Sequence, residues 1–225
     1  MDLRTLQAQV IGRLMSTPIV KDLAQGRVTT EQYTAYMSDV YSYALHSSRV
    51  IALAGARLVL SHPELSRYLF RHAEEELGND KWAESDLADL GLSSAEIRNI
   101  LPSSPCIRMI GFEYYYAAHA NPVGLFGWMF VLETLGGKSA TGISKSIDQS
   151  LELGGKGTYF LRGHGDADAQ HSEDLCSVID SYITYPEDVK TFLYAAAESE
   201  SLYCEILDHA FDGRALATTM SAGLD

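Results

Sequence analysis

The segment from Val123 to Leu135 constrains this chain most. It is nearly all apolar, through Leu125, Phe126, Trp128, Met129, Phe130, Val131 and Leu132, with Asn121-Pro122 before it and Gly136-Gly137 after it. It is too short for a membrane span, which takes about 20 apolar residues. A helix that is apolar on every side must be covered on every side, so this one belongs at the centre of a helical bundle. Its single acid, Glu133, lies near the end. A buried carboxylate without a partner is costly, so Glu133 is expected to face a cation or a hydrogen-bond donor. The alternatives are that it reaches solvent at the helix end or pairs with an arginine.

The remaining periodicity is helical as well, with no alternating strand pattern, internal repeat or low-complexity linker. Thr29-Thr30-Glu31-Gln32 reads as an N-cap with early acids. It opens a long helix through Tyr33, Tyr36, Val40, Leu45 and Val50 to about Leu60. Pro63 suits the first turn of the next helix, which is expected to run through Leu65, His72, Glu76 and Trp82 to Leu90, where Gly91 stops it. After a break at Pro102 to Pro105 come a helix through Met109 to His119, the central helix, a shorter segment, a helix containing His164, and a closing helix from Pro186 to about Phe211. These spacings predict an all-α fold, one bundle of about seven or eight helices, over a single domain 1–225.

Charge narrows the partners. The formal net charge is -13, which argues against nucleic acid and against an anionic membrane surface. No apolar run is long enough to span a membrane, and the first residues carry no basic segment leading into an apolar core. Cys106, Cys176 and Cys204 are an odd, widely spaced set and read as reduced thiols. A cytoplasmic location is expected.

The stretch His164-Gly-Asp-Ala-Asp168-Ala-Gln-His171 carries the strongest chemical signal. At about 100° per helical residue, His164, Asp168 and His171 fall within a stripe of roughly 60°. Imidazoles and a carboxylate converging on one point suit iron, zinc or manganese. The alternative is a solvated polar stripe. A third signal is His72-Ala-Glu-Glu75-Glu76-Leu-Gly-Asn79. On one continuous helix, positions 72, 75, 76 and 79 share a face, and an acid with a second ligand three residues on is a device of carboxylate-bridged two-metal bundles. Asn79 puts an amide where an imidazole would be the better iron ligand.

Together these three helices resemble the haem-oxygenase-like di-metal oxidases, iron-containing redox enzymes that share a fold with thiaminase II and pyrroloquinoline-quinone synthase. That family carries Glu-x-x-His, an isolated glutamate further along, and His-x3-Asp-x2-His. The matching residues are Glu76 with Asn79, then Glu133, then His164, Asp168 and His171. The context Glu-Leu-Gly-Asn-Asp-Lys-Trp, followed by Asp86-Leu87-Ala-Asp-Leu-Gly91, is similar too. The resemblance implies a haem-oxygenase-like fold and metal ligands Glu76, Glu133, His164, Asp168 and His171, with His72 and Asn79 as further candidates. It implies Fe(II), with two ions expected, O2 as co-substrate and no haem, since the first histidine is His46. The substrate would be a small molecule such as an amino acid, amine or fatty acid, and a homodimer is expected. Two departures stand out: Asn79, and the absence of a glutamate at interior positions of the Thr30 to Leu60 helix, which offers Asp39, Tyr41, Ser42 and His46.

Tyr41, His46 and Tyr116 are the residues expected to line a substrate cavity. Against the iron oxidase stand two other readings: the same fold with one metal or none, acting as a cofactor-independent oxidase or a hydrolase, and a ligand-binding protein without catalysis.

Overall fold

The computed structural model describes residues 2–211, apart from the side chains of residues 24 and 166–170. Eleven α-helices and no strand run through the described residues: α1 (Leu3–Ser16), α2 (Pro18–Ala24), α3 (Thr30–Leu58), α4 (Pro63–Glu75), α5 (Asn79–Asp89), α6 (Ser94–Arg98), α7 (Ser104–Tyr114), α8 (Leu125–Leu135), α9 (Thr141–Leu151), α10 (Tyr159–Tyr182) and α11 (Pro186–Phe211). Wide π-type turns at Tyr115–His119 and Gly136–Ala140 extend α7 and α8. The count exceeds the seven or eight expected because α1 and α2 precede Thr29, the expected helix from Pro63 to Leu90 is split in two, and the short α6 follows Gly91.

The apolar α8 is central, as its sequence requires, and packs on α11, α10 and α1. Gly127 makes the closest approach. A Cβ there would lie 2.5 Å from the Ala196 nitrogen and 2.6 Å from the Phe192 oxygen of α11. Phe130 meets Phe192 edge-on at 5.6 Å.

α4 is fastened to α3 by small polar groups. Ser66 Oγ donates to the Gly55 carbonyl (2.7 Å) and Ser48 Oγ donates to the Ala73 carbonyl (2.8 Å). These contacts set the rotation of α4 and turn His72 inward, where it is buried. The split after α4 occurs at Gly78, whose φ of +98° no helix accepts. Glu76 and Asn79 therefore do not share one continuous helix face, contrary to the spacing argument.

Buried carboxylates start two of the helices. Asp86 of α5 accepts the backbone N–H groups of Tyr159 (2.8 Å) and Phe160 (2.7 Å), which are unpaired donors at the start of α10. Asp39 of α3 accepts the N–H (2.8 Å) and the hydroxyl (2.6 Å) of Ser103, the N-cap of α7.

Candidate metal centre

Three helices deliver the ligand-type side chains. α4 supplies His72, α8 supplies Glu133 and α10 supplies His171, each with a ligand atom within 4.8 Å of the other two. His72 Nε2 stands 3.0 Å from Glu133 Oε1, and His171 Nδ1 stands 3.8 Å from Glu133 Oε2. The opposite ring edges face Glu75, with His72 Nδ1 at 3.6 Å and His171 Nε2 at 3.8 Å from its Oε2. Two imidazoles thus lie between an inner and an outer carboxylate. Tyr68, one helical turn earlier on α4, stacks on His72 at 5.7 Å.

Burial discourages the charged form of His72. The hydrogen bond to Glu133 and the charges of Glu133, Glu76 and Glu75 outweigh it, so the pKa is raised overall. Glu76, in the turn between α4 and α5, is pushed up to about 7 by burial and the negative charge of Glu133. Glu133 Oε2 is buried and accepts no hydrogen bond among the described residues. A buried carboxylate whose two oxygens face one imidazole each fits a divalent metal, whose charge would relieve the crowding of acids.

His164 lies beside this cluster and has a different partner. Its Nδ1 is 2.9 Å from the Phe160 carbonyl, which can only accept, so Nδ1 carries the proton. Nε2 is then the acceptor for the Asn79 amide at 3.3 Å. Burial lowers the His164 pKa and keeps the ring neutral. Asn79 is therefore a donor to His164 here. Flanking glycines let α10 come close on both sides: a Cβ at Gly163 would meet Trp82 at 2.8 Å, and one at Gly165 would meet Thr141 Oγ1 at 2.1 Å. Asp168 lies on α10, but its side chain is outside the described residues.

Of the residues named from sequence, the structure brings Glu133 and His171 together with His72, and puts Glu76, Asn79 and His164 on the wall of one adjoining cavity. That cavity measures about 110 Å³ and is also lined by Tyr36, Tyr43, Ser47, Trp128 and Tyr203. The three residues expected to line it are elsewhere. Tyr41 is buried at another position around α3, which turns Tyr43 and Ser47 to the cavity instead. His46 Nδ1 pairs with the Tyr114 hydroxyl at 3.1 Å. Tyr116 lies flat on Gly124, where a Cβ would be 2.2 Å from its ring. These are packing roles.

Sequence reasoning missed Glu113. It is fully buried on α7, and neither carboxyl oxygen has a hydrogen-bond partner among the described residues. Its only signal was an acid in the run Phe112-Glu113-Tyr114, which has no break or motif around it.

The family model for iron-containing redox enzymes matches residues 34–203, which span α3 to α11 and include every residue of the cluster. The chain belongs to this family. A domain of unknown function with a haem-oxygenase-like fold from Shewanella denitrificans is 25% identical, covering 100% of this chain and 97% of that one, with a TM-score of 0.86. A TenA homologue from P. horikoshii is 16% identical over 94% of this chain and 97% of its own, with a TM-score of 0.69. Haem oxygenase-1 from the cyanobacterium Synechocystis, solved with haem, is 16% identical over 97% and 94%, with a TM-score of 0.74. These likenesses give the fold: all-α and haem-oxygenase-like. No curated protein matches in sequence. No helix among the described residues is long and apolar enough to cross a membrane.

Proposed function

We propose that this chain is a non-haem iron enzyme that uses O2 to oxidise a small molecule. The observation that carries this reading is the convergence of His72, Glu133 and His171 from three helices within 4.8 Å, beside an apolar cavity, in a family of iron-containing redox enzymes. Two imidazoles and one carboxylate are the donor set of ferrous centres that keep positions open for O2 and substrate. Bound iron would supply the one-electron chemistry that activates O2.

The chain's own residues do the rest. Glu133 and the two histidines hold the ion, and Glu75 faces the outer ring edges and orients the imidazoles. Glu76, with a pKa of about 7, is set to take up or release a proton next to the centre. The apolar walls exclude water. A second ion would draw on Glu76 and His164, and it would have to displace Asn79 from His164 Nε2. The donor set therefore favours one firmly held iron.

Anaerobic Fe(II) loading followed by exposure to O2 tests the reading. The loaded protein is expected to consume O2 as its iron is oxidised, and Glu133→Ala is expected to abolish this. Oxygen uptake equal to that of free Fe(II), unchanged by Glu133→Ala, would overturn it.

A further inference from the structure

Away from the metal centre, a serine, a histidine and an aspartate stand in line. Asp188, buried near the start of α11, accepts from the Asn121 side-chain amide through Oδ1 (2.7 Å) and from His62 Nε2 through Oδ2 (3.1 Å). In the neutral ring the proton is then on Nε2, because a carboxylate only accepts. That leaves Nδ1 as the acceptor for the Ser61 hydroxyl, at 3.0 Å. Tyr185 meets the His62 ring edge-on at 6.1 Å. A pair that only tied α4 to α11 would need the Asp188 side of the ring alone, whereas here the other edge faces the hydroxyl of an exposed residue. Ser61 and His62 line a surface groove of about 230 Å³, together with Leu65, Tyr182 and Tyr185, and this groove shares no residue with the cavity at the metal centre. Pro63 opens α4 without an N–H, and the N–H groups of Glu64 and Leu65 in its first turn have no carbonyl within the helix to donate to. Both of these residues line the groove as well.

We propose that Ser61, His62 and Asp188 form a second site, independent of the metal, that transfers the acyl group of esters of aromatic alcohols to water. Such arrays are recognised by geometry and roles, not by position in the chain. Ser61 Oγ forms the bond to the ester carbonyl carbon as its proton passes to His62 Nδ1. The Glu64 and Leu65 N–H groups, at the positive end of α4, are the donors for the carbonyl oxygen as it becomes negative. His62 hands the proton to the departing alcohol oxygen as the carbon–oxygen bond breaks. Water then attacks the acyl-serine while His62 takes its proton and returns it to Ser61 Oγ, and a carboxylic acid leaves. Asp188 touches no substrate and is a positioning residue that keeps the ring turned and its proton on Nε2. The exposed rings of Tyr182 and Tyr185 offer apolar faces to the aromatic alcohol.

The full chain, kept in excess EDTA, is given p-nitrophenyl acetate and, separately, an alkyl fluorophosphonate, with nitrophenol release and peptide mass spectrometry as the readouts. The fluorophosphonate forms an Oγ–P bond with loss of fluoride and so marks an activated serine. The native chain is expected to be labelled at Ser61. Ser61→Ala is expected to lose the label and to lower ester turnover at least about tenfold, and because Ser61 is exposed this variant keeps the fold. His62→Gln is expected to slow labelling by about 10²-fold or more. Asp188→Asn is expected to slow it comparably and to move the His62 proton from Nε2 to Nδ1, because Asn121 holds the amide oxygen and leaves the NH2 group facing the ring. Nitrogen NMR of the imidazole reads that shift, which lost packing alone would not produce. No label on Ser61, ester turnover undiminished in Ser61→Ala, or labelling that appears only after Fe(II) is added would overturn the proposal. The site stands apart from the oxidase reading, since the chelator removes the metal on which that reading depends.

Discussion

His72 Nε2 and Glu133 Oε1 face each other at 3.0 Å across the interior, and the two residues are 2% and 7% exposed. Neither would be stable there alone, because a buried charge without a partner is costly. The pair makes a direct prediction for the metal-free protein. Glu133→Gln removes the charge that holds the His72 pKa up, leaving burial to dominate. The His72 pKa is expected to fall, followed by NMR of the imidazole nitrogens.

The same acids make the metal-free protein sensitive to pH. Glu76 has a folded pKa of about 7 against an ordinary 4.5, so the folded state binds the extra proton between those values. Stability then declines as pH rises from about 4.5 to 7, by on the order of 1 kcal/mol for each pH unit crossed. The raised His72 pKa acts in the same direction: its contribution is complete below its unfolded pKa and is lost as pH rises through the folded one. A bound divalent ion reverses the preference, because its ligands must be deprotonated. The stabilisation conferred by Fe(II) or Zn(II) is expected to grow between about pH 5.5 and 7.5, measured as the difference in melting temperature between loaded and metal-free protein.

Asp86 fixes the start of α10 and hence the position of His164, one helical turn beyond Phe160. Asp86→Ala strands one buried and one partly buried N–H donor and is expected to cost about 1–3 kcal/mol, with Asp86→Asn milder. Urea unfolding checks the stability. Iron binding that weakens in parallel would show that the cap positions the centre as well as the helix.

Glu113 is a carboxyl held neutral by burial, its pKa driven well above the ordinary range. As for any acid with a raised folded pKa, the cost appears as pH rises past its unfolded value. Glu113→Met keeps the volume and removes the polar atoms, so at about pH 8 it is expected to stabilise the fold by about 1–3 kcal/mol. The gain should shrink toward about pH 4, measured by denaturant midpoints at several pH values.

Most of the helices were legible because their punctuation is local. The Thr29 cap with its Gln32 capping box, the breaks at Pro63, Pro105 and Pro186 and the apolar run of α8 all appear where the sequence puts them. Other features depend on how helices rotate against each other. The α3 tyrosines show this: Tyr41 lies roughly 160° around the helix from Tyr43, and nothing local says which of the two faces the cavity. His72 was one turn from the acids, and its inward rotation is decided by Ser48 and Ser66 contacts between α3 and α4. The Gly78 break was masked by the helix-favouring Glu74-Glu75-Glu76 before it, and it lets Asn79 donate to His164 while its side chain stays hydrogen-bonded to Glu76.

The most direct test of the centre is bound iron per chain after anaerobic Fe(II) loading, compared between the native sequence and His72→Ala. The account predicts about one firmly bound iron, lost in His72→Ala, with a matched loss in His171→Ala. Iron retained undiminished in His72→Ala, or no iron bound by the native chain, would contradict it.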